Sequence, residues 1–542
     1  MRLDVSIKKE HADIATAVAW APDNQLISCS DDKVLIRWTS DAEVAGKVGT
    51  IGAFITGIAW FPVIGKQAPD TFVISCTDGT YRFVSRSGRE EKKVQAHEGA
   101  VILVTWSRDG STLLSGGEDG DVKIWSKSGN LRSTLASTGQ SVYCACWGPD
   151  DDQICIGNGK ILMIKTVQAN RKNLQWNAHE GLVLCVDWNV ANNMIVSGGE
   201  DCIYRVWDAF GRQLFASKVM EHVVTSIAWS PNGQCFAVGS HDMLRLCDKA
   251  GWTYCRERVS TGSMMCITWT PDGTQFAGAT GSGAIVFAQV VDRRVEWKNT
   301  EVTVTGQRKL RIQDTFTETL QDIELSRDRI VEVGLGFDHL IVTTTSQCSI
   351  YTLTNLNTPI IIDIRAPPHF MHLCNRHLLT SDHISGLQVI SYEGKILSSP
   401  RFQGLRPEYL TRDTVALSPD TVAVVDTVDS KNIHIMDAMN GRVQGKLVHA
   451  LEVVEVCLNQ HTISLERLLA FADRSKDLIV AQVVTGGAVN TSGILAFPTH
   501  KLISHIGSFV FHDETDVLVG LADGRLNTWY HPACAFVDKD LL

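Results

Sequence analysis

Serine, histidine and aspartate recur together three times in the first half of this 542-residue chain. In each set an aspartate follows the serine by four residues and a tryptophan follows the aspartate by six. These are the residue types of a nucleophilic triad, in which a carboxylate orients an imidazole and the imidazole takes the proton of a hydroxyl. The threefold recurrence favours a buried structural network over catalysis, because a triad must be presented at a cleft to act. The three sets are His11, Ser28, Asp32, Trp38; His97, Ser115, Asp119, Trp125; and His179, Ser197, Asp201, Trp207.

A second group of chemically capable side chains lies within fifteen residues of the second half: His369, His372, Cys374, His377 and His383. On a strand His372 and Cys374 share one face, yet the remaining spacings fit no standard zinc site. The 15 cysteines are an odd number without a C-x-x-C pair, which argues against a disulfide framework. We therefore predict no metal, no cofactor and reduced core cysteines.

Other motifs give no sign of an enzyme or of nucleic-acid binding. No phosphate-binding loop and no G-x-S-x-G motif occurs, and the net charge is -10. Two short basic stretches lack interleaved aromatic residues, so they are interpreted as solvated loops; an acidic protein partner that docks on one of them is the alternative. These stretches are Arg86, Arg89, Lys92 and Lys93, and Arg308, Lys309 and Arg311.

The elements that must position these residues follow a repeat. Seven tryptophans are separated by 40, 46, 41, 41, 41 and 40 residues, and each ends an alternating apolar segment. A turn sequence such as Ser-Pro-Asn-Gly at 230–233 usually follows, and a second pair of short strands completes each unit. The spaced tryptophans are Trp20, Trp60, Trp106, Trp147, Trp188, Trp229 and Trp269.

These units resemble the WD40 family, whose blades are four-stranded antiparallel sheets around a channel. The resemblance implies that each His-Ser-Asp-Trp set is a network inside one blade. Phe83, Cys247 and Phe287 stand where a tryptophan is expected. Residues 2–7 form an extra strand ahead of the first unit, and we predict that this strand completes the last blade and closes the ring.

Beyond Trp297 the tryptophans almost vanish, but the period continues. Five strand-turn-strand patterns follow at separations of 40, 43, 40 and 54 residues, with partial material between residues 301 and 324. We predict an all-β chain of two tandem propellers: residues 1–297 with seven blades, and residues 298–542 as a second, divergent propeller of about six to seven blades. The five patterns are centred on Val333, Leu373, Ala416, Val456 and Val510.

Five stretches of the chain are more specific than a general WD40 signature: 28–32, 346–351, 391–400, 529–532 and 537–542. They are similar to one family of WD-repeat proteins, the subunits of about eighty kilodaltons in intraflagellar transport complex B. The family implies a non-enzymatic scaffold for cilium assembly, located in the cilium or flagellum, the basal body and the cytoplasm. It also implies that the first propeller binds a calponin-homology-domain subunit, and that the second propeller with a following helical region supports self-association. That region lies beyond the equivalent of Leu542, so completeness of the second ring stays open.

Two other functions are weighed against this one. Vesicle-coat subunits also pair two propellers, and some propellers are enzymes, for example glycosidases with carboxylates that converge on the channel. No acidic pair repeats toward one channel mouth in this sequence. No apolar run approaches the roughly 18 residues of a membrane-spanning helix, so no direct membrane insertion is expected.

Overall fold

A computed structural model of the chain describes residues 1–63, 70–168, 173–461, 466–484, 497–537 and 539–541. These residues form strands joined by turns, and they divide into two compact units: Met1–Arg293 with Thr305–Gln307, and Arg294–Val304 with Arg308–Leu542. No helical segment of the described ranges is long and apolar enough to cross a membrane. The described helical segments are short 3-10 turns at Pro407–Tyr409, Arg412–Thr414, Pro532–Phe536 and Lys539–Leu541.

The first unit contains 26 strands in its described residues, and most of them are short, as expected for radial blades. In chain order they are β1 Arg2–Lys9, β2 Ala15–Trp20, β3 Leu26–Ser30, β4 Val34–Trp38, β5 Val44–Thr50, β6 Ile55–Trp60, β7 Thr71–Cys76, β8 Thr80–Ser85, β9 Glu90–Gln95, β10 Val101–Trp106, β11 Thr112–Gly117, β12 Asp121–Ser126, β13 Leu131–Ser137, β14 Ala145–Trp147, β15 Gln153–Asn158, β16 Ile161–Thr166, β17 Leu174–Asn177, β18 Val183–Trp188, β19 Met194–Gly199, β20 Tyr204–Asp208, β21 Gln213–Ala216, β22 Ser226–Trp229, β23 Cys235–Asp248, β24 Thr253–Trp269, β25 Gln275–Thr280 and β26 Ala284–Val291.

Successive groups of four strands form antiparallel sheets, from β2–β5 as the first sheet to β18–β21 as the fifth. The sixth and seventh sheets are joined in the order β1-β26-β25-β24-β23-β22, because β23 and β24 are long and change partners along their length. The first half of β23 pairs with β22 and its second half with β24, whereas the last six residues of β24 pair with β25. The unit is therefore the predicted seven-bladed propeller.

The N-terminal strand closes the ring, as the sequence predicted. Strand β1 is antiparallel to β26, with Arg2 opposite Val291 and Lys9 opposite Ala284. Leu3 is buried in the apolar cluster of the seventh sheet. The first and last parts of the unit thus share one sheet, in which β1 is the outer strand.

From the sequence, Phe83 and Phe287 were assigned to the tryptophan position of their sheets. In the structure each lies one residue away from that position. In the third sheet Trp125 lies opposite Leu113, which itself lies opposite Trp106. The equivalent residue of the second sheet is Val84, opposite Phe72, and not Phe83. A shift of one residue turns a side chain to the other face of a strand, so Phe83 packs near Trp106 of the neighbouring sheet instead.

The seventh sheet repeats this correction. Phe276 lies opposite both Trp269 and Ala288, so Ala288 occupies the tryptophan position that the sequence assigned to Phe287. Phe287 points to the other side, where its ring lies 5.6 Å from that of Trp38 in the first sheet. Ala288 therefore replaces the tryptophan of the signature inside the seventh sheet, and Phe287 fills the space between the seventh and first sheets.

The second unit is a divergent propeller of six sheets among its described residues, five of them four-stranded and the last, β47–β49, three-stranded. Its strands are β27 Arg293–Trp297, β28 Thr300–Val304, β29 Lys309–Asp314, β30 Leu320–Glu324, β31 Ile330–Gly336, β32 His339–Thr344, β33 Gln347–Thr352, β34 Asn355–Asp363, β35 Phe370–Leu373, β36 His377–Asp382, β37 Gly386–Ser391, β38 Ile396–Ser398, β39 Val415–Leu417, β40 Thr421–Val425, β41 Asn432–Asp437, β42 Val443–Val448, β43 Val453–Leu458, β44 Glu466–Asp473, β45 Leu478–Val484, β46 Thr499–Ile503, β47 Ile506–Phe511, β48 Leu518–Ala522 and β49 Arg525–Trp529.

The region interpreted as partial material is a complete sheet. Strands β27–β30 pair in sequence order, and residue 298, the predicted boundary, lies between β27 and β28. Val302 and Leu310 pack against Leu340 and Val342 of the next sheet. The turn after β27 also meets the last sheet of this unit, because Trp297 Nε1 donates to Asp513 Oδ2 at 3.1 Å.

Candidate functional site

The three predicted sets of four residues are each brought together inside one sheet. In the third sheet His97 Nδ1 lies 2.8 Å from Asp119 Oδ1, and His97 Nε2 lies 2.8 Å from Ser115 Oγ. Trp125 Nε1 donates to the same Ser115 Oγ at 2.8 Å. Because the carboxylate only accepts and the indole only donates, the imidazole carries its proton on Nδ1 and the serine hydroxyl donates to Nε2.

The first and fifth sheets repeat this geometry within 0.2 Å. The histidine Nε2 to serine Oγ distances are 2.7 Å for His11 and Ser28 and 2.8 Å for His179 and Ser197. The backbone N–H of the residue after each histidine also donates to the aspartate. The remaining distances are His11 Nδ1 to Asp32 Oδ2 3.0 Å, Trp38 Nε1 to Ser28 Oγ 2.8 Å, His179 Nδ1 to Asp201 Oδ1 2.9 Å and Trp207 Nε1 to Ser197 Oγ 2.9 Å.

Burial sets the charge state of these networks. Desolvation by burial lowers the pKa of His11, His97 and His179 despite the aspartate beside each ring, so the rings are neutral at pH 7. Burial alone raises the pKa of the aspartates, but hydrogen bonds from the backbone and the histidines outweigh it. The net pKa of each aspartate is lowered, and each carboxylate is charged.

The connectivity of a hydrolase triad is present, but a substrate has no access to it. Ser28, Ser115 and Ser197 are 0% exposed, and each hydroxyl oxygen already accepts an indole N–H. A nucleophile must reach a substrate carbonyl at a cleft. The arrangement instead satisfies every polar group of a buried tryptophan, histidine and serine, which couples the inner strands of the blade to its outer strands.

Two basic residues join the networks and were missed from the sequence. Lys123 Nζ donates to Ala96 O at 3.0 Å and lies 3.8 Å from Asp119, and Arg205 Nη1 lies 2.9 Å from Asp201 Oδ2. Both stand two residues before the network tryptophan, so this spacing could have identified them in the sequence. Each basic residue adds a cationic partner to an aspartate carboxylate that already binds the histidine and a backbone N–H.

A second missed feature links six of the seven inner strands, the first strands of their sheets, to the next one around the first ring. Thr16 Oγ1 donates to Ile55 O at 2.8 Å, and Thr225 Oγ1 donates to Met264 O at 2.6 Å. Cysteines take the same role elsewhere at the longer distances of sulfur. We call these six bonds the inner girdle; the other four are Thr56 to Val101 O at 2.5 Å, and Cys144 to Val183 O, Cys185 to Val224 O and Cys266 to Val18 O, each at 3.8 Å.

The histidine-rich segment of the second unit is dispersed. His372 Nε2 lies 3.0 Å from Arg412 O, and burial lowers the pKa of His372 to about 3. Cys374 Sγ donates to His377 O, and the rings of His369 and His383 are 6.1 Å apart. No group of three potential ligands in the described residues is placed to hold a metal ion. These side chains serve the packing of one sheet.

The basic stretches are engaged within the chain. Lys92 Nζ donates to Ser128 O at 2.6 Å, and Lys93 Nζ donates to Asp78 Oδ2 at 3.1 Å. In the second unit Arg311 Nε donates to Asp322 Oδ1 at 3.0 Å. Lys92 and Lys93 lie on β9, the outer strand of its sheet, and keep exposed surface, whereas Arg311 lies on β29, the third strand of its sheet. Both stretches bind neighbouring oxygens.

The second unit uses two polar side-chain contacts, each with one buried partner, that the sequence did not reveal. The guanidinium of Arg467 is 4% exposed; Arg467 Nη2 lies 2.8 Å from Asp420 Oδ1, and Nη1 donates to Asn459 O at 2.7 Å. His449 Nε2 lies 3.2 Å from the buried Asp473. These contacts join one sheet to the turn of the next, which is where the first unit places tryptophans.

Comparison with known families gives matches over both units. A family model described as the IFT80 second beta-propeller matches residues 292–542. The model described as WD domain, G-beta repeat matches four segments, three of which contain the three hydrogen-bonded sets. These segments are 4–39, 88–126, 171–208 and 216–246.

Curated relatives extend the match to the whole chain. The rat protein named intraflagellar transport protein 80 homolog is 42% identical over 555 residues, which cover 100% of this chain and 70% of the relative. The mouse protein of the same name is 41% identical with the same coverage. The Drosophila melanogaster intraflagellar transport protein 172 homolog is 22% identical and covers 80% of this chain and 25% of the relative. The chain therefore belongs to the intraflagellar transport protein 80 family.

Proposed function

We propose that this protein is a non-enzymatic scaffold subunit of intraflagellar transport complex B, acting in ciliary cargo transport and cilium assembly. The observation that carries the proposal is the 42% identity to the rat relative, which runs over both propellers without a gap in coverage. Fold alone is insufficient, because propellers host many functions. The family assignment supplies the link to intraflagellar transport that the fold lacks.

The physical character of the first unit suits a scaffold. Its three buried networks, inner girdle and closing strand are interactions that hold sheets in one arrangement, and they leave loops and turns free to differ. The serines that resemble nucleophiles are 0% exposed. A rigid frame lowers the entropic cost of ordering a binding surface, which is what a protein that assembles several partners requires.

The partners we propose are other subunits of complex B. The first propeller binds a calponin-homology-domain subunit, and the second propeller contributes to self-association as a homodimer. The protein acts in the cilium or flagellum and is also present at the ciliary basal body and in the cytoplasm. It binds no nucleic acid, consistent with a net charge of -10.

The proposal is tested in ciliated cells that lack their own copy of the family member. Expression of this chain with an affinity tag is expected to restore cilium length and to co-purify complex B subunits, including the calponin-homology-domain subunit. A matched control carries Ser115→Ala, which weakens the frame of the first propeller. Recovery of vesicle-coat subunits in place of transport subunits, with no gain in cilia, contradicts the proposal.

A further inference from the structure

The inner strands of the first ring begin at one common mouth of the channel. Each inner strand is the first strand of its sheet, so in a propeller all seven run in the same direction. The inner girdle joins neighbouring inner strands near their beginnings, as in the bond from Thr16 to Ile55 O at the start of β6. Residues at the start of each inner strand therefore lie around one opening, which we call the entry mouth.

Four large apolar side chains at the entry mouth are exposed. Phe54 is 45% exposed, Tyr143 45%, Leu182 36% and Met265 43%. Phe54, Tyr143 and Leu182 stand within two residues of the start of an inner strand. Met265 stands next to Met264, where the inner part of β24 begins to pair with β25, so each of the four belongs to a different sheet. Single exposed apolar residues are ordinary, but four around one opening form a cluster of the type that marks a protein-binding surface.

Carboxylates surround this cluster. The hairpin turns between the second and third strands end at the same mouth, because the second strand is antiparallel to the inner one. In the third sheet Glu98 and Glu118 are exposed, and in the fifth sheet Glu180 and Glu200 are exposed. None of the four forms an ion pair with the described residues. They place negative charge on both sides of the fourth sheet, where Tyr143 and the exposed Lys160 lie.

Two contacts show how the mouth holds its charges. Glu200 Oε2 accepts the backbone N–H of Leu182 at 3.3 Å, so a carboxylate is fixed beside an exposed apolar residue. At the second sheet, Lys33 Nζ lies 4.5 Å from the centre of the Phe54 ring. An ammonium group over an aromatic face is attracted by the ring quadrupole. The mouth thus already accommodates a lysine of this chain on one of its exposed rings.

We propose that the entry mouth of the first ring docks a protein partner that presents apolar side chains flanked by lysine or arginine. Apolar residues supply the buried centre of such an interface, and the four glutamates supply charge complementarity at its rim. The inference rests on the proposed function, in which the first propeller binds the calponin-homology-domain subunit. It adds the face of the ring and the chemistry of the contact.

The test measures binding of the purified calponin-homology-domain subunit to the full chain by calorimetry at two salt concentrations. The pair Tyr143→Ser and Leu182→Ser is expected to raise the dissociation constant at least about tenfold, because central apolar anchors carry most interface energy. The pair Glu98→Lys and Glu180→Lys is expected to weaken binding several-fold and to reduce its salt dependence, since rim charges act over the range that salt screens.

The matched control is Trp252→Ser. Trp252 is 68% exposed and stands in the turn between the third and fourth strands of the sixth sheet, which lies at the opposite mouth. This variant is expected to bind like the unchanged chain. All the substituted side chains are exposed, so equal melting temperatures are expected, and they verify that folding is preserved.

The outcomes separate the two proposals. Binding that survives both pairs of changes at the entry mouth within twofold, or that is lost in Trp252→Ser instead, overturns the docking face and leaves the partner in place. Absence of binding by the unchanged chain overturns the proposed partner and this inference with it. Loss of binding confined to the entry-mouth variants supports both.

Discussion

The serine of the third-sheet network provides the sharpest test of how the first propeller is held together. Replacement of Ser115 by alanine removes one hydroxyl oxygen that accepts from Trp125 Nε1 at 2.8 Å and donates to His97 Nε2 at 2.8 Å. Ser115 is 0% exposed and His97 is 2% exposed, so water does not readily replace the lost partner. Two buried polar atoms are left without a hydrogen bond.

The magnitude follows from that count. A buried polar group without a partner costs about 1–3 kcal/mol, so Ser115→Ala is expected to lower the free energy of unfolding of the first unit by about 2–5 kcal/mol. For a domain of this size each kcal/mol lowers the melting temperature by roughly 2 °C, which gives a shift on the order of 4–10 °C. The loss of the small hydroxyl volume adds little to this value.

Tryptophan fluorescence during urea unfolding measures the effect. Twelve of the 14 tryptophans lie in the first unit, so the signal reports mainly on its transition. Ser226→Ala is the matched control, because Ser226 is 5% exposed and its Oγ has no hydrogen-bond partner in the described part of the chain. The control is expected to be neutral or slightly stabilising. If Ser115→Ala falls within about 1 kcal/mol of Ser226→Ala, the network does not stabilise the sheet as argued.

Three further predictions concern charge and metal. The lowered pKa of His11, His97 and His179 means that the unfolded chain binds more protons, so stability of the first unit falls as pH drops below about 6.5. Burial raises the pKa of Asp187 to about 6, so this carboxyl group binds a proton more readily in the folded chain and opposes the loss of stability at low pH. Asp187→Asn is therefore expected to make stability fall more steeply with pH in urea unfolding measured at several pH values. An unchanged slope contradicts the raised pKa of Asp187. Arg467→Met is expected to destabilise the second unit less than Asp420→Ala, because the latter leaves a guanidinium that is 4% exposed without its carboxylate, and calorimetric melting of both variants shows the order. Purified protein is expected to contain well under one equivalent of zinc by elemental analysis, and a full equivalent disproves the packing role given to His372 and Cys374.

The networks could be predicted because their residues lie within one repeat. The spacing from Ser115 to Asp119 to Trp125 is fixed by the geometry of a single hairpin, so it appears as a local pattern. The closing strand β1 was predictable for a related reason: its alternation matches a strand that has no partner in its own unit. The network residues are thus close together both in the sequence and in the sheet, whereas β1 pairs with β26 from the other end of the unit.

Features that connect different sheets left no comparable pattern. The Thr225 hydroxyl donates to the backbone oxygen of Met264, 39 residues away. Every residue has such an oxygen, so the sequence does not show which residue accepts the bond. Phe83 was misplaced because its aromatic side chain suggested the tryptophan position, whereas the pairing of Phe72 with Val84 puts Val84 there and turns Phe83 to the other face. Sheet β27–β30 lacks the tryptophan signature, and only its pairing shows that it is complete.

The two propellers show that one period can be maintained by different chemistry. In the first unit a tryptophan, a serine and a histidine form one hydrogen-bond network within a sheet. Threonine and cysteine side chains donate hydrogen bonds to backbone oxygens of the next sheet. In the second unit Arg467 reaches the turn of the neighbouring sheet through a charged pair. The buried guanidinium of this pair depends on its carboxylate partner, whereas a network within one sheet tolerates changes elsewhere in the ring. Substitutions at the entry mouth of the first propeller therefore alter its surface without unfolding the frame, which is the property that lets a scaffold keep its shape while its contacts diverge.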